Sequence, residues 1–341
     1  MKKFCLMLLS VALLSAPLFA EDATDLKVSP WLRYKLTTDF VSNQTWHDFD
    51  LSGVTIQKKV TDNLSATVTP GFERKAALDG VTPTGNDTLS FAMIEAYFSI
   101  NDLTKNYGDY GIELVAGQFI TPFYMIEQSY QPFHFIMSPL DYKMMPNNYS
   151  ELGVMVNKSF LDGAIHSYFG YISGTGMWNG MLSTANDHPN SGGVLFTTKF
   201  APFKKLNDAV KDLTLTFNLK SIFDVKSRSS YNFLLGYKYQ FLAASLEYLK
   251  TYSAVRLTDI SALSFGLSAD VCGPLQALAR WDYSDDKSAA NVFAHDFLVG
   301  VNAKWFDGKL QTALTYDQDY NPQTKTNIAK RVMLSTQLAI N

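Results

Sequence analysis

Charged side chains recur at every second position of runs that are otherwise apolar, and that spacing bears on chemistry more than any catalytic motif does. On a β-strand, alternate side chains share a face. By that parity Arg33, Lys35, Lys199, Lys220, Lys238, Arg280, Lys304 and Arg331 fall opposite the apolar face of their runs. Glu73, Glu95, Glu247, Asp270, Asp282, Asp296 and Asp317 do the same. Rings of such charges can bias which ion enters a water-filled passage. Neither sign dominates, so the pattern predicts mixed wall charges that pair across strands. Catalytic chemistry has little to stand on. The five histidines are scattered without a paired metal-binding spacing, and Gly-x-Ser-x-Gly is absent. No enzyme, cofactor or metal site is expected.

The elements that would hold these charges are strands. Leu213, Leu215, Phe217 and Leu219 oppose Thr214, Thr216, Asn218 and Lys220. Leu263, Phe265, Leu267, Ala269 and Val271 oppose Ser264, Gly266, Ser268 and Asp270. Phe297, Val299, Val301, Ala303 and Trp305 oppose Asp296, Gly300, Asn302 and Lys304. Roughly sixteen such runs of ~10 residues follow one another, as in a transmembrane β-barrel. The run from Asp50 to Lys58 slips phase near Gly53, which a β-bulge would explain.

The gaps alternate. Thr61-Asp62-Asn63, Leu161-Asp162-Gly163, Gly273-Pro274 and Asp307-Gly308 read as tight turns. Long polar connections fall near 75–88, 126–150, 173–192, 221–230, 251–260, 284–292 and 318–329. Short turns belong on the periplasmic side of an outer-membrane barrel and long loops outside. Two connections, 101–111 and 201–212, are long for the periplasmic side. Tyr237, Tyr239, Trp281, Tyr283, Trp305 and Tyr316 stand where aromatic girdles could form. A soluble sandwich or propeller also alternates, but without such regular long and short gaps.

The chain opens with Met1-Lys2-Lys3, an apolar stretch from Phe4 to Ala16, and Pro17-Leu18-Phe19-Ala20. That is the form of a secretory signal peptide, giving 1–20 as the signal and 21–341 as one barrel domain. Removing two lysines with it shifts the formal charge from −3 to −5. Cys5 leaves too, so Cys272 is the lone mature cysteine and no internal disulfide can form. No basic stripe suggests nucleic acid. After the signal no run of ~18 apolar residues could form a membrane helix. The expected location is the bacterial outer membrane, with lipid outside and small hydrophilic solutes or ions within.

The third outer connection, 126–150, is aromatic and methionine-rich. Such residues could pack on a barrel wall, so the loop is expected to fold inward and narrow the lumen, with Glu127, His134, Asp141 and Lys143 as its polar groups. A loop tucked over the rim or into a subunit contact is the alternative.

Just before that loop, Gly117-Gln118-Phe119-Ile120-Thr121-Pro122-Phe123 resembles a segment of the phosphate-selective porin O/P family. Leu152-Gly153-Val154-Met155, Gly170-Tyr171, Ser173-Gly174-Thr175-Gly176 and Lys199-Phe200-Ala201-Pro202-Phe203 follow in the family's order. The similarity spans roughly 110–205. It implies a sixteen-stranded, usually trimeric outer-membrane porin that passes small anions such as phosphate, and it adds Gln118 to the pore-lining candidates. The chain departs from the family at Ile120, where a basic residue is common, and in ending on Ile340-Asn341. Two other functions fit the same barrel. One is a structural or adhesive barrel with a plugged lumen. The other is a sugar channel with Trp31, Tyr97 and Tyr130 as a sliding surface.

Overall fold

The computed structural model describes residues 26–75, 78–79, 82–83, 88–102, 111–131, 150–173, 192–206, 210–223, 228–253, 258–286, 295–322, 324 and 326–340. The expected signal segment lies outside them. The strands are β1 (Leu26–Asp39), β2 (Gln44–Lys59), β3 (Leu64–Lys75), β4 (Leu78–Asp79), β5 (Thr82–Pro83), β6 (Thr88–Ile100), β7 (Ile112–Ile120), β8 (Ser150–Phe160) and β9 (Ile165–Ile172). They continue as β10 (Gly192–Phe200), β11 (Thr214–Phe223), β12 (Arg228–Tyr239), β13 (Leu242–Ser253), β14 (Thr258–Cys272), β15 (Leu275–Asp286), β16 (His295–Trp305), β17 (Leu310–Asn321) and β18 (Thr326–Ala339). Among the described residues one helix, α1 (Pro122–Tyr130), follows β7. β4 and β5 pair only with each other; the other sixteen strands form a closed antiparallel barrel. β1 closes it by pairing with β18, from Trp31 opposite Ala339 to Asp39 opposite Arg331.

The two faces are inverted relative to a water-soluble barrel. Outward-pointing Leu215, Phe233, Val299 and Leu314 are each more than half exposed, while inward Asn218, Asn232, Glu247 and Ser264 are buried. An apolar outer belt of this extent has no favourable partner in water. At the long-loop end the belt carries a group of rings: Trp281, Tyr283, His295 and Phe297, with Tyr283 and His295 centroids 5.2 Å apart.

The expected bulge is present. Register shifts between Trp31 and Arg33 on β1 and between Phe49 and Ser52 on β2. There the Arg33 amide donates to Ser52 Oγ at 2.9 Å instead of to a ladder carbonyl. The tight turns fall where Asp and Gly predicted them: Leu161, Asp162 and Gly163 have positive φ, as do Phe306, Asp307 and Gly308. Lys205 pairs with Asp162 at 2.5 Å and holds its carboxyl below the usual carboxylate range. Both side chains are well exposed, so the pair contributes little. The turn between β12 and β13 gave no such signal. Gln240 takes φ 47° between aromatic neighbours, and the amphipathic pattern runs straight through it.

The β6–β7 ladder ends early, at Ala96 opposite Gln118. Beyond it, two side chains replace backbone donors: Gln118 Nε2 donates to Met93 O and Ser150 Oγ to Ile94 O, both at 2.6 Å. The chain is leaving the wall here to begin α1, with Pro122 at its first turn, where a missing N–H costs nothing. Gly117 makes this approach possible. Its φ is +126°, and a Cβ would lie 2.2 Å from Ala96 O. Gly117→Ala is expected to lower barrel stability by about 1–3 kcal/mol, the usual cost of a side chain in such a conformation. Urea unfolding of the refolded barrel in detergent measures it; an unchanged midpoint would contradict the assignment.

Candidate pore interior

The interior has two unlike sides. On the first, α1 lies against the inner faces of β12 and β13. Phe123, Ile126 and Tyr130, spaced for one helical face, pack on Leu234 of β12. Tyr130 is fitted closely. Its phenolic oxygen accepts from Thr214 Oγ1 at 2.6 Å, and the Nζ atoms of Lys199 and Lys238 each stand 5.6 Å from its ring centroid. Gly236 makes room for the ring, since a Cβ there would come within 2.6 Å of it.

This side is held by buried polar contacts. Arg280 donates from Nη1 to Gln131 Oε1 at 2.9 Å and from Nε to Asp282 Oδ1 at 2.8 Å. Thr197, Asn218, Asn232 and Glu247 form a hydrogen-bonded row across β10 to β13, at 2.8, 3.3 and 3.0 Å. Lys220 of β11 forms an ion pair with Glu151 of β8, both almost completely buried. Farther round, carboxylate oxygens of Asp296, Asp317 and Asp319 lie within 4.8 Å of one another. Arg331 bonds to two of them, Asp317 and Asp319, at 3.1 Å each.

On the second side the described residues leave space. A cavity of about 350 Å³ is bounded by β1, β2, β3, β6, β18 and the far face of α1. Lys27, Trp31, Arg33, Gln57, Glu95, Tyr124, Gln128 and Gln337 line it. A second cavity of about 490 Å³ shares Lys27 and Gln57 with it and reaches Asp62, Leu64 and Asn101 at the short-turn end.

The candidates read from the sequence therefore separate. Arg33 and Glu95 face the open cavity. Lys35 sits on the same inner face of β1, opposite Ser335. Lys199 and Lys238 bracket Tyr130, Arg280 anchors Gln131, and Lys304 pairs with Asp270 at 3.2 Å near the short turns. Glu127 is buried on α1. His134, Asp141 and Lys143 lie outside the described residues. Gln118 is a correction. It shares the outward face of β7 with Leu114 and Ala116, and its amide serves the broken ladder instead of a pore.

Sequence parity missed Glu151, whose partner Lys220 lies three strands away, and Asp319, one step beyond the last acid taken from β17. It also read 126–150 as a loop, although Thr121-Pro122 and the spacing of Phe123, Ile126 and Tyr130 are a helix-start signal. The proposed sliding aromatics are occupied: Tyr97 packs on the cluster of Val115, Phe119, Met155, Ile172 and Leu195, Tyr130 is seated as above, and the Arg33 guanidinium covers Trp31 at 5.0 Å.

No known protein-family profile matches the chain, and no curated protein does. Solved structures do. Over 92% of this chain and 97% of that one, it superposes on OmpF of Salmonella typhi, solved with daunomycin, at TM-score 0.62 and 9% identity. A loop-deletion mutant of OmpT, an outer membrane protein of Vibrio cholerae, matches over 94% of this chain and all of its own length, at TM-score 0.59 and 11% identity. A mutant Rh. blastica porin matches over 92% of this chain and all of that one, at 0.51 and 10%. The fold is thus the sixteen-stranded porin barrel.

Removing one member of a buried ion pair strands the other charge, at a cost of about 3–5 kcal/mol. Lys220→Met should destabilise the barrel by about that much, and Lys220→Met with Glu151→Leu should recover most of it. Denaturant titration of the three proteins in detergent checks this; equal stability of the single and double variants would contradict it.

Proposed function

We propose that the chain is an outer-membrane porin, a passive diffusion channel for small hydrophilic solutes and ions. The observation that carries the reading is the pair of adjoining cavities on one side of α1, inside a barrel whose outer face is apolar. Such a belt matches the hydrocarbon core of a bilayer, and only helices and closed barrels satisfy their backbone groups there. On this reading residues 1–20 direct export and are removed, and the barrel sits in the bacterial outer membrane as a homotrimer. The Vibrio cholerae OmpT structures include a trimer form, at TM-score 0.55 and 12% identity over 94% of this chain, which supports that assembly.

α1 acts as the constriction. The helix narrows the lumen by occupying the β12–β13 side, leaving solutes the passage along β1, β2, β3 and β6. Wall charges set its bias. Lys27 and Arg33 stand against Glu95 at the open cavity, while Asp282, Asp317 and Asp319 are engaged by arginines on the other side. Small anions, phosphate among them, therefore belong to the solutes admitted. The rival reading, a structural or adhesive barrel with a plugged lumen, draws its support from the same helix lying within the barrel.

Single-channel recording of the refolded mature chain in a planar bilayer separates the two. Stable ohmic conductance with a reversal potential of anion-favouring sign is expected; silence from folded protein would favour the plugged barrel. Gly236→Ala should push Tyr130 off the wall, drive α1 toward the passage and lower the conductance. Undiminished current from that variant would remove α1 as the constriction.

A further inference from the structure

We propose that the cavity beside α1 is a recognition site for small zwitterionic solutes, molecules such as free α-amino acids that carry a carboxylate and an ammonium group. The proposal rests on the channel reading and names the solute class of that passage.

Two charges at this cavity are held in place yet not paired with each other. Arg33 is fixed at its neck: Nε donates to Gln337 Oε1 at 3.0 Å and the guanidinium lies 5.0 Å from the Trp31 ring centroid. Its terminal nitrogens make no hydrogen bond or ion pair among the described residues. Those nitrogens are the fork that binds a carboxylate in two parallel bonds. Glu95 is fixed in the same manner. One of its oxygens accepts from Thr69 Oγ1 at 2.9 Å, and the other takes no bond among the described residues. Both residues line the one cavity, and no ion pair joins them.

A guanidinium and a carboxylate that line one cavity, each held by a neutral hydrogen-bond partner, form a dipolar receptor. A simple anion satisfies Arg33 and is repelled by Glu95; a simple cation meets the reverse. A zwitterion meets both, so its two charges are compensated when water is shed. Lys27, farther toward the short-turn end, also lines the second cavity and favours a carboxylate-first approach from that side. The volume, about 350 Å³, lies at the small end of ligand sites, which run from roughly 300 to 1,000 Å³. Stacking of a sugar on Trp31 is disfavoured because Arg33 already lies over that ring.

The test uses alanine and lactamide, isomers that differ in being zwitterionic or neutral. The refolded mature chain is recorded in planar bilayers at neutral pH, and block of the ion current is titrated with each. Alanine should block saturably at lower concentration than lactamide. Arg33→Gln and Glu95→Gln, each still conducting, should raise alanine's half-blocking concentration roughly tenfold, the loss of one charge-assisted contact, and leave lactamide unchanged. Equal block by the two isomers would overturn the proposal while leaving the channel intact. So would stronger block by lactate than by alanine, which would make Arg33 an anion site alone. Absence of any conductance would instead overturn the channel reading on which the proposal rests.

Discussion

The pairing of β1 with β18 is the contact on which the rest of the molecule depends. A sheet whose outer face is apolar cannot end in an open edge, because unpaired peptide groups have no water to turn to in a hydrocarbon layer. The ladder from Trp31–Ala339 to Asp39–Arg331 removes that edge. It also sets the interior, since it brings Gln337 beside Arg33 and so fixes the guanidinium at the cavity. Closure and lining are therefore one event in this chain: the register that seals the barrel decides which charges face inward.

Within the closed wall, polar groups do two different jobs. On the β8–β17 side they are bonded to each other and to α1 and act as structure: Arg280 with Gln131, Lys220 with Glu151, and the row from Thr197 to Glu247. Such a network gives a firm seat to the helix laid on it. On the β1–β6 side Arg33 and Glu95 are restrained through one atom each and, among the described residues, keep hydrogen-bonding capacity toward a cavity. Counting charges along the chain mixes the two populations, which is why the sequence balance alone does not separate them.

Much of the fold was legible because a barrel in lipid writes its two faces directly into residue alternation. The runs 213–220, 263–271 and 297–305 have the facing predicted for them, and the slip near Gly53 is a bulge. What parity could not reach was whatever depends on leaving the strand lattice. Gln118 sits one residue after a glycine with positive φ, at the point where the ladder opens, and its polar character there serves the backbone. The turn at Gln240 is made by the ladder on both sides and not by a turn residue. Pairings such as Lys220 with Glu151 depend on curvature, which brings β8 and β11 within reach. The seat of Tyr130 is visible only as a glycine, Gly236, in a strand that otherwise looks ordinary.

The central claim is that solutes move along the β1–β6 side of α1 and not through the bonded side. Single-channel recording with introduced thiols tests it most directly, in a Cys272→Ala background so that no other cysteine reacts. A bulky thiosulfonate reagent should cut the current sharply through Gln57→Cys, whose site lines both cavities, and leave Asn232→Cys unaffected. Block at Asn232→Cys with none at Gln57→Cys would place the passage on the other side and contradict the account.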